Sequence, residues 1–119
     1  MTTKDFIDYV VKPRLDTCID LLAGEKDIEY SRNNDKFYNF KRVGQIRNIS
    51  TIAALDGMFN KHLISVIDMI DDAKAGILPS QKLINDKVTD TINYLLLFEG
   101  ITNEEKAEKG INANKSDVG

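Results

Sequence analysis

Two aspartates four residues apart, Asp86 and Asp90 in the run NDKVTDTINY, are the residues of this sequence best spaced for chemistry. Residues i and i+4 of a helix are neighbours, so the two carboxylates share one side, and Asn93 continues the strip three residues on. Like charges at this spacing repel. A hard divalent cation would turn that repulsion into binding, because Mg²⁺ takes oxygen ligands and commonly uses one or two carboxylates together with substrate phosphates. The competing reading is a solvated acidic face, softened by Lys82 and Lys87. A third carboxylate, Asp56, falls in an apolar stripe between Ile52, Phe59 and Leu63. Burying a carboxylate is costly unless it is paired or metal-bound. Asp56 is therefore expected either to face Asp86 and Asp90 as a second wall of an acidic site, or to sit in a buried salt bridge or hydrogen bond.

Lys61 and His62 follow on the same predicted helix and point in different directions. His62 is the only histidine, which excludes a multi-histidine metal site; at the edge of the apolar stripe it reads first as a satisfied interfacial residue. The polar segment before that helix interleaves cations with rings: Lys26, Tyr30, Arg32, Lys36, Phe37, Tyr38, Asn39, Phe40, Lys41 and Arg42. Such a mixture can stack a base and hold phosphates, or it can anchor a loop onto helices. Cys18 is the single cysteine, so no intramolecular disulfide forms, and its register with Leu15, Ile19 and Leu22 marks it as a small core residue. No phosphate-binding Gly-rich loop, GxSxG or HExxH occurs.

These residues need helices to position them. The chain has 119 residues, room for one core, and its 42% hydrophobic and 29% charged residues suit a soluble globular domain. The expected class is an all-α bundle of about four helices spanning residues 1–110, with a flexible tail over 111–119. Thr2 or Thr3 caps a first helix, which Pro13 either kinks or restarts before Gly24 ends it. A long helix is expected from Val43 to Lys74, striped by Ile52, Leu55, Phe59, Leu63, Val66, Ile67 and Ile70. Gly57 within it suggests a close helix contact, and Gly76 and Pro79 terminate it. Ser80 or Gln81 opens the last strong helix, through about Thr102. Ile84, Val88, Ile92 and Leu95 form one of its faces, and the run NYLLLF is apolar nearly all round. That helix should be central or shared with another subunit.

The formal charge is −3, which argues against a duplex nucleic-acid partner. No apolar run approaches the roughly 20 residues that span a bilayer, and the N-terminus does not read as a signal peptide, so a cytoplasmic location is expected.

Taken in order, LLAGEKDIEYSRNNDKFYNF, ALDGMFNKH and DKVTDTINYLLL resemble small phage and prophage proteins related to the MazG-like all-α nucleoside triphosphate pyrophosphohydrolases. The matching positions are Lys26 and Tyr30, Asn39 and Phe40, Lys61 and His62, then Asp86, Asp90, Asn93 and Tyr94, within about residues 15–102. The resemblance implies a homo-oligomer, dimer or tetramer, in the bacterial host cytoplasm. It implies Mg²⁺, replaceable by Mn²⁺, on Asp86 and Asp90, to which the periodicity adds Asp56 as a third ligand, with Asp86, Asp90 and Lys61 in catalysis. Lys26, Tyr30, Arg32, Asn39, Phe40, Asn93 and Tyr94 would line the nucleotide site. Water would then cleave the α–β linkage to give a monophosphate and pyrophosphate. The family's Glu-x-x-Glu pair on the earlier helix has no counterpart, since no glutamate lies between Glu29 and Glu99. The implied protein either hydrolyses with fewer metal ligands, keeps a nucleotide pocket without cleavage, or serves as a protein-binding helical module.

Overall fold

The computed structural model describes residues 1–24, 32 and 35–110, and these are all-helical. Thr2 opens the first rod as expected, its hydroxyl accepting a hydrogen bond from the Asp5 N–H. The rod comprises α1 (Thr3–Phe6), a π-helical turn (Ile7–Val11) and α2 (Lys12–Ala23), joined through helical backbone at Ile7 and Lys12. Pro13 lies in the first turn of α2, directly after the π-helical turn. Proline brings no N–H and crowds the preceding turn. The wider turn before it, closed by the Lys12 N–H donating to the Ile7 carbonyl, accommodates the ring. Gly24 ends α2, but in extended backbone rather than as a left-handed cap.

The expected long helix from Val43 to Lys74 is two helices. α3 (Tyr38–Arg47) stops where Asn48 takes a left-handed conformation at φ 56°. Ser50 then caps α4 (Thr51–Lys74), accepting from the Ala53 N–H. Asparagine tolerates that conformation and serine is a strong N-cap, so two local signals together break the chain. The turn folds tightly, the Ile49 N–H donating back to the Gly44 carbonyl at 2.9 Å. Gly76, at φ 91°, ends α4 as expected. Ser80 caps α5 (Gln81–Glu108), which runs a turn and a half beyond the expected end at Thr102.

α5 is the central element, packed against α2 on one side and α4 on the other. α4 and α5 are antiparallel. α2 runs parallel to α5: Arg14 donates to Thr89 Oγ1 at 2.8 Å and Asn85 Oδ1 at 2.7 Å, and one turn on Asn93 reaches the Cys18 carbonyl. The three helices form a layer, and α3 covers one end of one side of it. There Phe40, Ala54, Leu55 and Ile101 make the core, with Phe37 lying against Gly100. Cys18, 1% exposed, fills the α2–α5 seam as expected of a small core residue.

Of the expected α4 stripe, Leu55 enters the α4–α5 contact and Phe59 touches Tyr94. On α5 the contact uses the face of Tyr94, Leu97 and Ile101 rather than that of Ile84, Val88, Ile92 and Leu95. The contact runs through Leu55, His62 and Met69 on α4 and Tyr94, Leu97 and Ile101 on α5. Ile52, Phe59, Leu63 and Ile70 lie a sector further round α4. At 100° per residue they point to the same side of the layer as Ile84, Val88 and Leu95 on α5 and Leu15 and Ile19 on α2. That side, opposite α3, is uncovered. Gly57, expected at a close contact, has open space around it. No helix among the described residues is long and apolar enough to cross a membrane.

Candidate functional site

The antiparallel packing of α4 on α5 brings His62 to Asp90 and Tyr94. His62 Nδ1 lies 3.5 Å from Asp90 Oδ2, and its ring centroid is 4.8 Å from that of Tyr94. Phe59 and Phe40 complete the ring cluster around Tyr94, at 5.6 Å and 6.2 Å. Burial pushes the Tyr94 phenol above its ordinary pKa, and the neighbouring Asp90 charge adds to the shift, so it stays protonated at neutral pH. The sequence undervalued His62 as a site residue. Its signal was the spacing of seven that puts it on one line with the buried Leu55 and Met69.

Asp86 stands one turn before Asp90. Its side chain is 58% exposed and lies 3.6 Å from Lys82, whereas the Asp90 side chain is 35% exposed. Lys61 is exposed, on the α3 side of α4. By helical position Lys61, Asp86 and Asp90 face the same side of the layer. Asp56 does not join them. It is exposed, lying 100° past the buried Leu55, and it borders a groove of about 420 Å³ on the opposite side, with Phe59, Leu95 and Phe98. The expectation of three interior carboxylates therefore gives way to an acidic pair and a separate, solvent-facing Asp56.

Among the remaining predicted site residues, Lys26 and Tyr30 lie outside the described residues. Arg32 is exposed and sits 5.9 Å over the Tyr38 ring. Asn39 is half-buried at the start of α3. Phe40 is a core residue beneath Tyr94, and Asn93 is buried toward α2, where its amide donates to the Cys18 carbonyl at 3.5 Å. Asn93 stays within about 20° of Asp86 around the helix, but it is buried on the α2 side of the strip rather than open beside the acidic pair.

Lys41 ties this end of the fold together. It pairs with Asp35 at 2.7 Å and also with Glu104 on α5. Its hydrogen bond holds the Asp35 carboxyl below the usual aspartate range, and the two carboxylates raise Lys41 in turn.

Among the described residues no three His, Cys, Asp or Glu side chains cluster to hold a metal ion. The three-carboxylate set does not fit the cation the resemblance implies. Asp86 and Asp90 alone suit Mg²⁺ or Mn²⁺ only in company with substrate phosphates. Compared with protein-family models, curated proteins and solved structures, the chain matches none.

Proposed function

We propose that this chain is a MazG-like nucleotide-binding protein that cleaves a nucleoside triphosphate to monophosphate and pyrophosphate, working as a homo-oligomer in the host cytoplasm. One relationship carries the reading: Asp90, from the acidic pair, is held against His62 in the α4–α5 cleft, on the side that also bears Asp86 and Lys61. Mg²⁺ arriving with the nucleotide would supply charge neutralisation and a more acidic water. Asp86 and Asp90 supply the oxygen ligands, and Lys61 a cation for the phosphates. His62 fixes the position of the Asp90 carboxylate, and Tyr94 backs it with an apolar wall carrying one hydroxyl.

The test is incubation with a panel of deoxynucleoside and ribonucleoside triphosphates and Mg²⁺, read as pyrophosphate release. Turnover by the wild type and its loss in Asp90→Asn are expected. The displaced Asp56 favours a second reading, a nucleotide-sequestering module that does not cleave. Calorimetric binding without turnover identifies that case, and absence of both removes the nucleotide reading.

A further inference from the structure

We infer that the groove beside Asp56 is a binding site for an arylalkylammonium ion, an organic cation whose positive head pairs with the Asp56 carboxylate and whose ring lies among Phe59, Leu95 and Phe98. The site goes beyond the reading above. It opens on the opposite side of the layer from Asp86 and Asp90, and it requires neither a nucleotide nor a second copy of the chain.

Helical spacing builds the groove. On α4, Ile52, Asp56 and Phe59 are four and three residues apart, so they stand one above another on a single strip. On α5, Leu95 and Phe98 are three apart and line the other side of the α4–α5 valley. Tyr94 lines it between them, its ring centroid 5.6 Å from that of Phe59 and the two planes tilted by 31°. The groove holds about 420 Å³. That is inside the range of small-ligand sites, roughly 300–1,000 Å³.

Charge selects the ligand. Among the described residues Asp56 is the one charged group on the lining, and no cation or N–H donor pairs with it. An anion would meet the carboxylate directly, so the groove is not a second phosphate site. A neutral apolar ligand would strip water from the carboxylate and return no hydrogen bond. An ammonium head pairs with it instead. Ile52 and Phe59, one turn to either side, lower the local dielectric and strengthen that pair. Three aromatic residues line the groove, and a cation within about 6 Å of a ring is attracted to its face. A ring on the ligand adds offset or edge-to-face packing against them. It would also cover Leu95 and Phe98, which are 55% and 44% exposed.

Tryptamine is the probe. The chain has no tryptophan, so indole emission comes from the probe alone, and its anisotropy is titrated with the full chain. Saturable binding is expected. Tryptophol, the same ring system with a hydroxyl in place of the ammonium, should compete about fivefold more weakly, the scale of one partly exposed ion pair. Asp56→Asn should weaken tryptamine by about the same fivefold and leave tryptophol unchanged. The position is exposed, so the fold tolerates this change. Phe98→Ala should weaken both ligands, and hexylammonium, which lacks a ring, should compete less well than tryptamine. Absence of saturable binding at millimolar tryptamine overturns the site. Equal affinity for tryptophol, or a preference for tryptamine that survives Asp56→Asn, overturns the cation. Indifference to Phe98→Ala overturns the placement in the groove, and equal competition by hexylammonium overturns the aromatic body. Pyrophosphate release is a separate readout, so failure here and failure of the nucleotide reading are distinguishable.

Discussion

Asp90 and His62, from antiparallel helices, face each other with Oδ2 and Nδ1 3.5 Å apart, over the ring of Tyr94. The contact links the acidic pair of α5 to the buried seam of α4. Asp90 is thereby a positioned carboxylate, while Asp86 one turn away remains a solvated one.

Replacing Asp90 by Asn keeps the shape and removes the charge. Pyrophosphate release should fall by about 100-fold, the scale of losing a charged group that acts on the transition state. Circular dichroism should be unchanged, because the side chain is a third exposed. Asp56→Asn should leave the rate alone, since Asp56 faces the other side of the layer.

Two glycines should respond to alanine with opposite signs. A Cβ at Gly44 would meet the Ile49 carbonyl oxygen at 2.7 Å, in the turn that separates α3 from α4. Backbone must move, so Gly44→Ala should destabilise by about 1–3 kcal/mol despite better helix propensity. Gly57 is mid-helix with nothing near it, and Gly57→Ala should stabilise by about 0.5–1 kcal/mol. Urea denaturation of both variants measures the difference.

The Lys41 clamp predicts a pH window. The folded Asp35 carboxyl titrates below its unfolded range, so its contribution is complete above about pH 4 and is lost as pH falls through the folded value. Lys41 titrates above its unfolded range, so its contribution is complete at neutral pH and is lost only at strongly alkaline pH. Wild-type stability should drop below about pH 4 more steeply than that of Lys41→Met, which lacks the clamp. Thermal melts across pH 2.5–7 in both proteins, roughly the span of carboxylate titration, check the sign.

Cys18 should be inert in the folded chain. Burial raises the thiol pKa, outweighing the lowering by the nearby Arg14 charge, and the residue is 1% exposed. Iodoacetamide should label it only at the rate of unfolding, and in urea labelling should become fast. Rapid labelling under native conditions would show that the α2–α5 seam opens.

What the sequence determines by itself is local. The caps at Thr2 and Ser80, the stop at Gly76 and the apolar register of Cys18 depend on residues within one turn, and they appear in the structure where composition and spacing put them. The break at Asn48 and Ser50 was equally local, but the helical periodicity running across it concealed it. Tertiary structure alone decided which sector of each helix is inside. Periodicity gives the spacing of an apolar stripe, but α4 carries two such sectors side by side, and either could face α5. Packing took Leu55, His62 and Met69 inward, left Leu63 and Ile70 exposed on the uncovered side, and set Ile52 and Phe59 at its edge, against the core and Tyr94. That one choice of sector placed Asp90 beside His62. It also turned Asp56 away from the acidic pair with which its spacing had grouped it.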